Sequence, residues 1–338
     1  MKVYTKKALN ESNQSLTYDD ISLIPTEVSR IRSRTEAVTA EKFLGLELSV
    51  PVISSPMDTV TGITMAKELT ELGCLGILNR FDSSLDEILN SRENKNLIKG
   101  VSIALTTGDD IIEKLAELNC VICIDTANAS NRAVLEKTED VKKKFNMPVI
   151  VGNIAHGATL KQLEDAGADA VRVGIGSGSV CTTSIQTGIG LGQVSSLLDV
   201  LFVRDENKLK IRVIADGGIK SPGDVAKAIS LGADVVMLGR MLSGTKETPG
   251  EVIKYNGQLW KKYRGSASFG VKMRNEFIEG EETMVPYKGT VKNVIDSISD
   301  GLRSSMSYMN CFTLDELRKT ETYAVLSNSS YLERLPKI

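Results

Sequence analysis

Short apolar runs recur along the chain, at 48–54, 73–78, 97–104, 120–124, 147–152, 168–173, 210–215 and 233–238. They are rich in Val, Ile and Leu and show little polar alternation, the pattern of a parallel strand covered on both faces. Between them lie stretches whose apolar positions recur at helical spacing, at 61–72, 85–94, 109–118, 129–145, 158–166, 194–203 and 221–231. Eight such strands alternating with helices predict an α/β protein of the (β/α)8 class, a TIM barrel. A doubly wound sheet is the runner-up. It usually has fewer strands and one reversal of strand order, and nothing in this chain marks a reversal.

The flanks carry other patterns. Residues 1–15 are polar and expected to be loosely held, 16–25 read as a short extended entry segment, and 30–40 are polar and turn-rich. Past the last strand, Tyr255-Asn-Gly-Gln258 has the composition of a hairpin turn. Val285-Pro-Tyr-Lys-Gly289 reads as a tight extended turn. Val291, Val294, Ile295, Ile298, Leu302 and Met306 share one face of a helix over 291–306. Thr313-Leu-Asp-Glu316 has capping-box spacing for a further short helix. The expected organisation is one domain over 1–338: an N-terminal arm at 1–47, a barrel core at 48–245, a flap region at 250–290 and C-terminal helices at 291–338.

Composition narrows the function classes. Forty-one basic and 43 acidic residues leave a net charge of −2, which offers no electrostatic case for nucleic acid or an acidic membrane. A length of 338 residues suits one large barrel. The odd number of cysteines, five, suits a reducing compartment. Cys120-Val-Ile-Cys123 has C-x-x-C spacing, but it lies within an apolar strand, which argues against zinc or redox use. The single histidine, His156, excludes a multi-histidine metal site. No run of about 18 apolar residues occurs and the N-terminus lacks a signal-peptide core, so a soluble cytoplasmic protein is expected.

Chemistry is expected where the sixth strand ends, in Gly174-Ile-Gly-Ser-Gly-Ser-Val-Cys-Thr-Thr183. Three glycines at alternate positions favour a loop whose backbone can approach a ligand. That loop carries a cysteine beside two threonines, and a thiol whose proton is drawn off can act as a nucleophile. In a barrel the reactive groups gather at the C-terminal ends of the strands. At those ends stand Ser55, Met57, Asp125, Asn128, Asn153, Cys181, Thr183, Asp216 and Gly239. Each alone reads as a turn or cap residue; their convergence raises the cysteine above that reading. In Asp216-Gly-Gly218 a carboxylate can accept from ribose hydroxyls while the glycines admit a phosphate.

These residues resemble the IMP dehydrogenase and GMP reductase family. The matching words are Leu16-Thr-Tyr-Asp-Asp20, Ser54-Ser-Pro-Met-Asp-Thr-Val60, the cysteine loop, Ala215-Asp-Gly-Gly218, Val236-Met-Leu-Gly239, Tyr263-Arg-Gly265, Glu279-Gly280 and Gly301-Leu-Arg-Ser304. The resemblance implies a catalytic barrel, a homotetramer, a purine nucleoside monophosphate (GMP or IMP) as substrate and a nicotinamide cofactor. Cys181 resembles the nucleophile that adds to carbon 2 of the purine, and Thr183 and Glu279 a proton relay. Ser55, Met57, Ser179, Asp216, Gly217, Gly218, Gly239, Arg240, Gly265, Ser266 and Ala267 resemble the substrate cradle. Asp125, Thr126, Ala127, Asn128, Asn153 and Gly174 resemble the cofactor side. The carbonyls of Gly176, Gly178 and Cys181 resemble a site for a monovalent cation, expected to be potassium.

Three features favour the reductase side of the family, and with it NADPH over NADH or NAD. The stretch from Asn79 to Lys99 leaves no room for a regulatory domain pair, the segment from Ser266 to Ile278 is short and has Asn275 after Arg274, and Asp125-Thr-Ala-Asn128 is closer to reductase wording. The chain also departs from the family pattern, with Ser184 where Arg is usual, Gly192 where Pro is usual, and Leu78-Asn-Arg80 after the second strand. The alternatives are an IMP dehydrogenase without regulatory domains and a purine-nucleotide-binding protein without turnover.

Overall fold

The computed structural model describes residues 3–81, 87–89, 97–265 and 281–334. Eight parallel strands close into a barrel in chain order: Val52–Ser54, Leu75–Leu78, Gly100–Ile103, Val121–Asp125, Val149–Ile154, Ala170–Val173, Arg212–Asp216 and Val235–Leu238. Closure is made by the eighth strand on the first, with Val236 opposite Val52 and Leu238 opposite Ser54. Every strand expected from the apolar runs is present. Helices follow at Ile63–Glu71, Asp109–Ala116, Arg132–Phe145, Leu160–Asp165, Gln193–Glu206 and Pro222–Leu231. Of the helix expected at 85–94, residues 87–89 are helical and the rest lie outside the described residues.

Strand side chains alternate between two cores. Ile53, Leu75, Ile77, Val121, Cys123, Ile150, Ala170, Ile214, Val235 and Met237 fill the barrel interior. Their neighbours, among them Ile122, Ile124, Val151, Val171, Val173, Val213 and Ala215, pack outward against the helices. The period of two has a consequence at the strands' C-terminal ends. Continuing Val121, Cys123 points Asp125 inward; continuing Ala170 points Arg172 inward; continuing Ile214 points Asp216 inward. The apolar filling therefore gives way to a charged layer at the mouth of the barrel. The same alternation sends Cys120 outward and Cys123 inward, so the C-x-x-C pair shares no face, and both thiols are free.

The N-terminal arm is more ordered than its polarity suggested. Val3–Thr5 pairs with Thr322–Val325, which pairs in turn with Ile21–Leu23, and Leu9 is buried beneath them. The expectation that the first fifteen residues are loosely held is thus corrected for 3–10, a strand and a helix held by a strand from the far end of the chain. Glu41–Phe43 and Leu46–Leu48 form a hairpin that the apolar pattern did not reveal. Its turn residues Leu44 and Gly45 have φ of 48° and 82°, as a tight two-residue hairpin requires. Phe43 and Leu48 insert into the interior core and plug the barrel.

Beyond the barrel, Ile253–Tyr255, Gln258–Arg264 and Glu282–Pro286 make a three-stranded antiparallel sheet. The turn at Asn256 and Gly257, with φ of 48° and 77°, bears out the expected hairpin. The helix Val291–Tyr308 buries Val291, Ile295, Ile298, Leu302 and Met306, as its spacing predicted, and packs on the helix Pro222–Leu231. Leu314–Arg318 follows, capped by Thr313. No helix among the described residues is long and apolar enough to cross a membrane.

Because Phe43 is fully buried, Phe43→Ala is expected to lower unfolding stability by about 3–5 kcal/mol. Urea denaturation followed by circular dichroism measures this. A loss under about 1 kcal/mol would mean that the hairpin does not plug the core.

Candidate active site

A cavity of about 620 Å3 opens at the C-terminal ends of the barrel strands. The cysteine loop forms one wall. It leaves the sixth strand at Gly174, whose φ of 144° and closeness to the Asp216 carbonyl, 1.9 Å from where a Cβ would stand, admit only glycine. Gln193, 1% exposed at the start of the next helix, anchors the loop from behind. Its side-chain amide donates to the Val173 carbonyl at 2.6 Å and accepts from the Ser177 hydroxyl at 2.7 Å. The Ser177 carbonyl accepts from Gly218 N–H, and the Val180 carbonyl from Glu281 N–H. Gly192 donates its N–H to the Ser15 hydroxyl at 2.6 Å, a bond proline could not make, so the family departure at this position ties the loop to the N-terminal arm.

The loop presents Cys181 to the cavity, with its thiol 3.2 Å from the Thr183 hydroxyl that accepts from it. Cys181 is the one cysteine of the five that is not buried. Burial pushes the thiols of Cys74 and Cys120 up to about 12 and those of Cys123 and Cys311 to about 11, which makes all four inert at neutral pH.

Facing the loop is a charged chain that the motif reading did not assemble. Arg172 donates to Asp125 Oδ1 at 2.6 Å and reaches Asp216 Oδ2 at 3.0 Å from Nε and 2.9 Å from Nη2. Asn153 Nδ2 donates to the same Asp216 oxygen and to the Gly174 carbonyl, both at 2.8 Å. Arg80 donates to the Asp125 carbonyl at 3.1 Å, lies 3.5 Å from its carboxylate, and stacks on the Phe81 ring. Burial opposes charge on Arg172, but Asp216 and Asp125 outweigh it and hold the guanidinium well above its ordinary range. Gly152 makes the room: a Cβ there would stand 2.4 Å from Arg172 Cβ.

At the other end of the cavity Ser179, Tyr263, Met57 and Gly239 meet. The Ser179 and Tyr263 hydroxyls are 3.1 Å apart, and a Cβ on Gly239 would lie 3.1 Å from Tyr263 Oη and 3.2 Å from Met57 Sδ. Burial raises the Tyr263 pKa and the Ser179 bond partly offsets this, so the phenol is a neutral hydrogen-bonding group.

The cavity wall includes Ser55, Met57, Ser179, Cys181, Thr183, Asp216, Gly217, Gly218, Gly239, Arg240 and Gly265 on the expected substrate and catalytic side. It also includes Asp125, Thr126, Ala127, Asn153 and Gly174 on the expected cofactor side, and Gly176 and Gly178 from the expected cation site. Asn128 is not brought in: it is exposed, and its side chain accepts from Ser130 N–H to close a turn. Ser266, Ala267 and Glu279 lie outside the described residues. The Gly178 carbonyl accepts from Cys181 N–H at 3.1 Å. Among the described residues no group of three or more His, Cys, Asp or Glu could hold a metal ion.

Arg172, Gln193, Arg80, Phe81 and Tyr263 were not picked out as site residues by sequence. Arg172 had a readable signal, since a charge inside an apolar parallel strand has to be paired. Arg172→Leu is expected to lower stability by about 3–5 kcal/mol, because it leaves two carboxylates without their buried partner. Equilibrium urea unfolding at neutral pH measures this. An unchanged midpoint would show that the triad carries no structural load.

Residues 15–337 match the IMP dehydrogenase / GMP reductase domain. A GMP reductase of Lactobacillus delbrueckii subsp. bulgaricus is 33% identical over 329 residues, covering 94% of this chain and 97% of the relative. A GMP reductase of Clostridium acetobutylicum is 36% identical over 323 residues, covering 93% and 96%. An inosine-5'-monophosphate dehydrogenase of Borreliella burgdorferi is 32% identical over 395 aligned positions, covering 96% and 97%. The chain belongs to the IMP dehydrogenase / GMP reductase family.

Proposed function

We propose that the chain is a GMP reductase, acting as one catalytic unit that converts GMP to IMP and ammonia with NADPH. The observation that carries this is the half-exposed Cys181 thiol on the wall of a nucleotide-sized cavity, bonded to Thr183. The similarity supports the reductase side. The two reductases align over lengths close to that of this chain, whereas the dehydrogenase alignment of 395 positions exceeds its 338 residues.

The residues suit the chemistry. Among the described residues Asp216 takes its side-chain bonds on Oδ2, and Oδ1 can accept from ribose hydroxyls. Ser179, Tyr263 and Gly239, with Ser55, Met57, Gly217, Gly218, Arg240 and Gly265, form the cradle for the rest of the mononucleotide. Cys181 gives up its proton and its sulfur bonds to carbon 2 of the purine, while the double bond from carbon 2 to ring nitrogen 3 opens and that nitrogen takes up the proton. The bond from carbon 2 to the exocyclic nitrogen then breaks, and the nitrogen leaves as ammonia with protons relayed through Thr183, and in our reading Glu279. When hydride has replaced the amino group and ring nitrogen 3 has taken a proton from solvent, the carbon–sulfur bond breaks, the double bond to nitrogen 3 re-forms and the sulfur takes that proton back as the thiol.

The wall at Asp125, Thr126, Ala127 and Arg80 fits a nicotinamide cofactor. It borders the same cavity as the thiol, and the volume of about 620 Å3 lies in the range of small-molecule sites. The reduced cofactor supplies the hydride. A monovalent cation on the Gly176, Gly178 and Cys181 carbonyls and a homotetrameric assembly complete the proposal.

Purified protein given GMP and NADPH is expected to consume the reduced-nicotinamide absorbance. A signal of opposite sign with IMP and NAD alone would make it a dehydrogenase, and nucleotide binding without turnover in either direction would leave only a binding protein. Cys181→Ser is expected to lower turnover at least about a hundredfold with the fold intact. Retention of more than a few per cent of wild-type turnover would sink covalent catalysis.

A further inference from the structure

A second cavity, of about 390 Å3, adjoins the first, and Lys220 and Arg240 belong to the walls of both. Lys288, Asn293 and Ser297 complete its polar lining. Among the described residues no carboxylate lines it. Lys220 is paired with Asp19 at 2.6 Å. Lys288 donates to the Arg240 and Met241 carbonyls at 2.9 and 3.3 Å, and neither Lys288 nor Arg240 has a carboxylate partner among the described residues.

Three cations, an amide and a hydroxyl around one space form a lining for an anion with several acceptor oxygens. Burial, and next the Arg240 guanidinium, lower the Lys288 pKa, so these two cations stand close enough to repel. A bound dianion would relieve that repulsion. The volume lies within the range of ligand sites. The reading above places the monophosphate in the larger cavity and, of the smaller cavity's lining, uses only Arg240.

We propose that this smaller cavity is a phosphate subsite, taking the second phosphoryl group of a purine nucleoside 5′-diphosphate whose base and ribose occupy the larger cavity. Its nucleotide part rests on the reading given under Proposed function; its anion part rests on the lining alone. A free phosphate ion beside a bound monophosphate has the same chemistry, and the test separates the two sources.

The test is calorimetric titration of the intact protein with GMP, GDP and inorganic phosphate, in wild type and in Asn293→Asp. This near-isosteric change puts a negative charge into the cavity, and an acid in the first turn of a helix is favourable for folding. Asn293→Asp is expected to weaken GDP binding at least about tenfold and leave GMP within about twofold. Ser297→Glu is expected to act in the same sense. If phosphate binds to the GMP-loaded protein with that sensitivity and GDP shows none, the phosphate subsite holds and the diphosphate source is overturned. If phosphate binds with that sensitivity while neither nucleotide binds, the subsite stands and the nucleotide reading falls. If neither variant changes GDP or phosphate binding, or if GMP weakens as much as GDP, the subsite is overturned.

Discussion

The site depends on one buried guanidinium. Arg172 stands at the mouth of the barrel between Asp125 and Asp216, bonded to both. Taking a charge of this size out of water costs several kcal/mol per ion, and attraction offsets that cost only where the geometry is good and the remaining donors are satisfied. Here the arrangement supplies two carboxylates, while Asn153 and Arg80 take the outer sides of the pair. Remove one member and the others become uncompensated charges in a closed space. The triad is thus a constraint on three strands at once, the fourth, sixth and seventh. It sets where the loops after them begin.

Those loops are where the proposed chemistry lies. The loop after the fourth strand carries Thr126 and Ala127, that after the sixth carries Cys181, and that after the seventh carries Gly217 and Gly218. Arg172 therefore joins the wall assigned to a cofactor to the wall assigned to a substrate. The Cys181 loop is then fixed from three sides. Gln193 holds its stem, Gly218 N–H takes the Ser177 carbonyl, and Gly174 lies under the Asp216 carbonyl. A loop of small residues would otherwise sample many conformations, and these bonds remove that freedom before any ligand arrives.

How much of this was legible in the chain follows from what kind of signal each part leaves. A parallel strand buried on both faces leaves a run of Val, Ile and Leu, and all eight were readable because each had to be apolar on both sides. The plug hairpin left no such run. Its strands are three residues long, and Glu41, buried against Arg212 and Arg318, reads as surface polarity when the partners are unseen. The sheet of Val3–Thr5 with Thr322–Val325 was illegible for another reason: its pairing spans nearly the whole chain, and local pattern carries no information about it. Within the site, strand-end position placed Asp125, Asn153, Cys181 and Asp216 together. It also swept in Asn128, whose side chain serves its own turn, because Asn closes turns as readily as it binds ligands.

The period of two would have carried the reading further than residue type did. In a barrel whose interior is filled by alternate side chains, the last inward position of each strand has to face the mouth. Counting from Val121, Ala170 and Ile214 leads to Asp125, Arg172 and Asp216 without reference to any motif. Two acids and a base at the last inward positions of the fourth, seventh and sixth strands are opposite charges that face one another across the mouth. The same count passes through Gly152 on the intervening strand, the one position there that leaves space for the arginine to cross. A missing side chain is thus part of the electrostatics: any larger residue at 152 would push the guanidinium from between its carboxylates, and the walls it joins would lose their common anchor.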